Sequence, residues 1–154
     1  MGCQRNVQLA SFVLPDLSGT PVDTSKLPGK IRVFVFFSPL DCQPCLNEVE
    51  LWEQVSREFL PTEISVVGVG NTEHPNMLLA FQQARQFSFT ILYDAERHKT
   101  AELKIMETPV RLICDRKGRV LHQSHGAVQW LRRDKVIPFC GNLSKTISRC
   151  IATK

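Results

Sequence analysis

Ile31 to Phe37, IRVFVFF, is a run of β-branched and aromatic residues with no polar alternation after Arg32. A strand open to water on one face alternates apolar with polar, so this run predicts a central strand covered on both faces. Behind it the period changes: Cys45, Val49, Trp52, Val55 and Phe59 recur at spacings of four, three, three and four. That is the apolar stripe of an amphipathic helix. Ile64 to Gly70 predicts a second buried strand, Asn76 to Gln86 a second helix and Ala95 to Lys104 a third. Buried strands alternating with helices imply parallel crossovers and an α/β domain. Val110 to Cys114, the turn Asp115-Arg116-Lys117-Gly118 and Arg119 to His122 read as a β-hairpin, and Asn142 to Ile151 as a closing helix. Ahead of the sheet, Phe12 to Lys30 is punctuated by Pro15, Gly19, Pro21, Pro28 and Gly29, a pattern of short extended pieces joined by turns.

At 154 residues the chain reads as one domain, residues 1–154, with residues 1–30 as an N-terminal extension and residues 127–154 as a C-terminal helical segment. A chain of this length buries a full core without cross-links, so folding does not require the six cysteines. Hydrophobic content of 43% with 22% charged residues is ordinary for a globular protein. No apolar run reaches the ~20 residues of a membrane span. The opening MGCQRNVQLA shows no apolar h-region, and Asn6 stands where a myristoylation motif has Ser or Thr. The net charge of +4 gathers in the C-terminal segment: Arg132, Arg133, Lys135, Lys145, Arg149 and Lys154 oppose Asp134 alone. This reads as a solvated helical face, not a nucleic-acid surface.

Cys42 falls where the strand run ends and the helical stripe begins. Its sulfur is therefore expected near unpaired backbone N–H groups and the positive end of the helix dipole, where a thiolate is favoured. Cys45, one turn on and within the stripe, is expected to be more buried and placed to attack a mixed disulfide formed at Cys42. Pro44 fits because the first helical turn does not use its N–H. Other readings of the pair remain. A zinc site would need two more ligands, such as His122 and His125. A copper-handling or partner-binding module would use the thiols for a soft ion, although no Met or His lies close to the pair in sequence.

C-x-P-C after an apolar strand, Glu48 three residues later, and Thr-Pro before a strand ending in D-x-x-G together resemble the thioredoxin superfamily, and within it the TlpA-like redoxins. The likeness runs from FVLPDLSGTPV to about Gly126. It implies a thioredoxin-like fold, a central mixed sheet of four or five strands flanked by helices, with an N-terminal β extension. It also implies a thiol–disulfide oxidoreductase acting on protein disulfides together with a redox partner protein, with no cofactor beyond the dithiol. Cys42 and Cys45 would be catalytic, with Pro44, Asp41, Glu48, Thr108, Pro109 and Glu73 supporting them. Pro109 matches the position of a cis proline packed against the cysteines, and Thr108 would offer backbone groups to a substrate strand. Members of the family often face outside the cytoplasm on a membrane tether, so an extracytoplasmic setting is expected, with a cytoplasmic one as the alternative. Asp41 departs from the family, whose members generally carry Trp there. A carboxylate beside Cys42 opposes thiolate formation unless it turns away to cap the helix, which leaves the direction of electron flow open. Glu73 is offset by about two residues from an active-site carboxylate of some relatives and also reads as a solvated loop residue.

The runner-up is a peroxiredoxin, similar in fold, with Cys45 as the peroxidatic residue and Cys42 at the family's Thr position. Against it, Pro109 stands about where those proteins carry an activating Arg, and Arg111 is displaced by two. Cys114 reads as a small apolar strand residue, Cys3 as a free terminal thiol, and Cys140 with Cys150 as a pair whose bridging the sequence leaves open.

Overall fold

The computed structural model describes residues 8–39 and 42–125. Two short strands, β1 (Val13–Pro15) and β2 (Pro21–Asp23), pair antiparallel, and their turn is tied by Asp16, whose Oδ1 accepts from the backbone N–H groups of Ser18 and Thr20. Then come β3 (Ile31–Phe37), α1 (Gln43–Glu58), β4 (Ile64–Gly70), α2 (Pro75–Arg85), β5 (Thr90–Tyr93), the short α3 (His98–Glu102), β6 (Val110–Asp115) and β7 (Val120–His125). The main sheet has the order β5-β4-β3-β6-β7. β3, β4 and β5 run parallel, and β6 and β7 antiparallel to their neighbours. A mixed five-stranded sheet with an N-terminal strand pair is the architecture that the resemblance implies.

Every residue of β3 and β4 is buried, which is why neither run alternates. On one face Ile31, Val33, Val35 and Phe37 pack with Cys45, Val49, Trp52 and Val55 of α1 and Leu78 of α2. On the other, Phe34 and Phe36 pack with Val110, Leu112, Cys114, Ile105 and Phe12 of the N-terminal segment. The segment before β3 thus covers one side of the sheet, and the Phe12 and Phe34 rings meet at 5.6 Å. Each such side chain taken out of water contributes about 1.5–3 kcal/mol.

Two elements differ from the sequence expectation. β5 is absent from it, although Phe87, Phe89 and Ile91 alternate. The third helix, expected over Ala95 to Lys104, is instead a 3-10 turn (Ala95–Arg97) followed by α3. The break is caused by two consecutive left-handed residues, Glu96 (φ 55°) and Arg97 (φ 58°). The closing helix and the Cys140–Cys150 pair lie outside the described residues.

Gly70 ends β4 directly over Leu78, and a Cβ there would fall within 2.6 Å of both Leu78 methyl carbons. Leu78 is fully buried and has no room to yield. Gly70→Ala is expected to cost about 1–3 kcal/mol by overpacking, read as a fall in the urea midpoint at unchanged m-value.

Candidate active site

α1 begins at a sulfur. Cys42 is its N-cap residue, and the Sγ accepts a hydrogen bond from the Cys45 backbone N–H at 3.3 Å. Pro44 lies in the first turn, where no intrahelical acceptor awaits its missing N–H. The two cysteines form a disulfide across this turn, with Cα atoms 5.2 Å apart. Cys42 is half-buried and Cys45 fully buried, an asymmetry set by the helix stripe that carries Cys45 into the core.

The Thr108–Pro109 peptide bond is cis, and the Thr108 carbonyl oxygen lies 3.9 Å from Cys42 Sγ. Cys42 and Thr108 share the wall of an open groove of about 510 Å³ with Ser38, Asn71, Arg97, Met106 and Glu107. Met106 is 83% exposed, an apolar side chain held in water at the groove rim. Beneath it Asp94, fully buried, accepts from the Lys99 and Thr100 backbone N–H groups and from the Thr100 hydroxyl. That hydroxyl also lies 3.4 Å from Asn71 Oδ1, so a buried polar network ties the α3 side of the groove to the β4 end.

Glu48 is one turn beyond Cys45 along α1 and is almost completely buried. Its carboxylate is held by three donors: Arg111 Nε to Oε1 at 2.5 Å, Arg111 Nη2 to Oε2 at 3.1 Å and the Trp52 indole N–H to Oε1 at 2.8 Å. Burial pushes the Glu48 carboxyl above the usual carboxylate range, while Arg111 and the indole N–H pull the other way. His122 on β7 is half-buried, and desolvation with the nearby Arg111 charge holds its imidazole below the ordinary value.

Of the residues expected from the sequence, Cys42, Pro44, Cys45, Glu48, Thr108 and Pro109 sit on two adjoining elements, the start of α1 and the start of β6. Glu73 is exposed in the loop before α2 and does not line the groove; Asn71 of the same loop does. Asp41 lies outside the described residues. Arg111, Asn71, Arg97 and the Asp94–Thr100 pair were not expected as parts of the site. Arg111 had a sequence signal: a charge inside an otherwise apolar strand needs a buried partner. Cys114 is a buried free thiol in β6, pushed up to about 12 chiefly by desolvation, and carries no thiolate at neutral pH.

Removing one partner of the Glu48–Arg111 pair leaves the other charge buried and uncompensated. Arg111→Met alone is expected to cost about 3–5 kcal/mol, and Glu48→Leu with Arg111→Met together much less than the sum of the single losses. Urea unfolding of the four proteins in a double-mutant cycle measures this. Additive losses would contradict it.

The family model described as the AhpC/TSA family matches residues 6–123. Among curated proteins, the thioredoxin-like protein YneN of Bacillus subtilis is 29% identical over 77% of this chain and 69% of its own length. A candidate peroxiredoxin of Mycobacterium tuberculosis is 31% identical over 63% of each chain, so this match spans less than two thirds of that protein. The thiol-disulfide oxidoreductase ResA of Halalkalibacterium halodurans is 25% identical over 79% of this chain and 68% of its own. A secreted disulfide oxidoreductase of M. tuberculosis, known as a crystal structure, superposes with a TM-score of 0.73 at 22% identity, covering 85% of this chain and 95% of that one. That likeness shows a thioredoxin-like fold. With its sheet, its N-terminal strand pair and a family match over most of its length, the chain belongs to the AhpC/TSA family of the thioredoxin superfamily.

Proposed function

We propose that the protein is a thiol–disulfide oxidoreductase that exchanges electrons with protein disulfides through Cys42 and Cys45. The observation that carries this reading is the disulfide at the first turn of α1, with its outer sulfur on the groove wall and its inner sulfur buried. The similarity to ResA supports the same class.

In the reducing direction the Cys42 thiolate attacks one sulfur of a substrate disulfide, forming a mixed disulfide and releasing the other substrate sulfur as thiolate. Cys45, deprotonated, then attacks Cys42 Sγ. The second substrate sulfur leaves with the electron pair of the broken bond, and the protein is left as the Cys42–Cys45 disulfide. Two electrons pass to the substrate, and the reverse sequence oxidises a dithiol. The backbone N–H of Cys45 already points at Cys42 Sγ and stabilises negative charge there. Thr108, with its carbonyl beside that sulfur, offers main-chain polar groups to an extended substrate segment in the groove. Glu48 lies one turn beyond Cys45 on the same helix, its carboxylate held by Arg111 and Trp52.

The peroxidase reading is supported by similarity to two mycobacterial candidate peroxiredoxins. It requires peroxide to reach Cys45, which is 0% exposed, and a cation at the sulfur, whereas the Arg111 guanidinium is spent on Glu48. Cys45→Ser is expected to trap a covalent complex with a disulfide substrate through Cys42, and Cys42→Ser to abolish insulin-disulfide reduction. The opposite pattern overturns the assignment: Cys42→Ser consuming peroxide rapidly, with Cys45 oxidised to sulfenic acid as the first step.

A further inference from the structure

The dithiol groove crosses the ends of three neighbouring strands. β3 stands between β4 and β6 in the sheet, and of the groove residues Ser38 follows β3, Asn71 follows β4 and Thr108 comes two residues before β6. All three lie at one end of the sheet, because Phe37 pairs with Gly70 on one side and Phe36 with Val110 on the other. Neighbouring strands are about 4.8 Å apart, so the Asn71 and Thr108 backbones flank β3 at roughly 10 Å from each other. Extended chain covers that distance in about three residues.

The Thr108 side of this span holds the reacting sulfur: Cys42 Sγ lies 3.9 Å from the Thr108 carbonyl oxygen, and a substrate cysteine must come there to react. The Asn71 side is polar and held in place. The Asn71 backbone N–H donates to the Phe37 carbonyl at 2.9 Å, which seats the residue against the end of β3. Its side-chain Oδ1 lies 3.4 Å from the Thr100 hydroxyl, and that hydroxyl donates at 2.5 Å to Asp94, a fully buried carboxylate. The carboxamide is thus packed against a fixed network on one side. On the other, Asn71 Nδ2 makes no hydrogen bond among the described residues. Nor is it sealed in the core, since Arg32 Nε is the one fully buried side-chain polar atom left unpaired among those residues. Asn71 keeps 8% of its surface in solvent and lines the groove, so an amide donor without a protein acceptor is available there.

We propose that Asn71 is a substrate-binding residue of this groove: its Nδ2 donates to a main-chain carbonyl about three residues from the reacting cysteine, while Thr108 pairs with the main chain beside that cysteine. The inference rests on the thiol–disulfide exchange proposed above and names its substrate class. A groove that reads main chain at two points this far apart selects a disulfide carried on an extended stretch of polypeptide. A small disulfide reaches Cys42 but has no main chain to offer Asn71. Asn71 takes no part in the bonds that form and break, so its removal weakens substrate binding and leaves the sulfur chemistry unchanged.

The test compares the unsubstituted full chain with Asn71→Ala and Asn71→Leu, the second of which keeps the side chain's bulk without its donor. Thr100 retains Asp94 in both variants, so the network behind the groove survives. Two rates are measured: steady-state reduction of insulin, and reaction of the pre-reduced protein with hydroxyethyl disulfide. Loss of one neutral hydrogen bond predicts a fall in kcat/KM for insulin of roughly three- to tenfold in both variants, carried by KM, while the hydroxyethyl disulfide rate stays within about twofold. A parallel fall with both disulfides, or an insulin KM unchanged in both variants, would overturn the inference. Absence of insulin reduction by the unsubstituted protein would instead overturn the oxidoreductase reading, and this inference with it.

Discussion

The Glu48–Arg111 pair joins the two halves of the dithiol site. Glu48 is three residues after Cys45 on α1, and Arg111 is two residues after the cis Pro109 on β6. No other described ion pair links these two elements. Its two parallel hydrogen bonds fix the rotation of α1 over the sheet as well as the separation. The indole of Trp52 completes the carboxylate's donors and itself fills the core between α1 and β3. A buried pair of this kind is weak evidence for net stability, because desolvating both charges offsets most of their attraction. Its worth lies in geometry: the sulfur of Cys42 meets the Thr108 carbonyl only if the helix start and the strand start are held in register.

The surroundings of the first cysteine bear on its charge. Placement at a helix N-terminus contributes about 0.3–1 kcal/mol, up to about 2 where partly buried, and one pKa unit corresponds to about 1.36 kcal/mol. The helix start and the direct Cys45 N–H contact both favour negative charge on the Cys42 sulfur. Whether the couple gives or takes electrons is decided by the surroundings of the first sulfur, not by the C-x-P-C spacing alone.

Much of this was legible in the sequence, and the parts that were not share a cause. β3, β4 and α1 are read correctly because a continuous apolar run and a 3.6-residue stripe are distinct periods, each forced by burial. β5 is a four-residue edge strand, and the alternation of Phe87, Phe89 and Ile91 that leads into it is too short to stand against the helical patterns around it. The third helix is cut by left-handed Glu96 and Arg97, neither a glycine, so no residue type announces the break. The cysteines and Thr108–Pro109 were found through a resemblance that covers the chain. Arg111 and Arg32 were passed over as charges inside apolar strands. One has a carboxylate waiting on the facing helix and the other only carbonyls, a difference that exists only in three dimensions.

The most direct test of the account is a redox titration of the Cys42–Cys45 couple in defined thiol–disulfide buffers, with each cysteine scored by alkylation. The account predicts that both become alkylatable together in a single two-electron transition, a tenfold change in ratio per ~30 mV, with a midpoint between about −120 and −270 mV. Independent titration of the two thiols, or a Cys42 that stays alkylatable at every potential while Cys45 alone is oxidised, would contradict it.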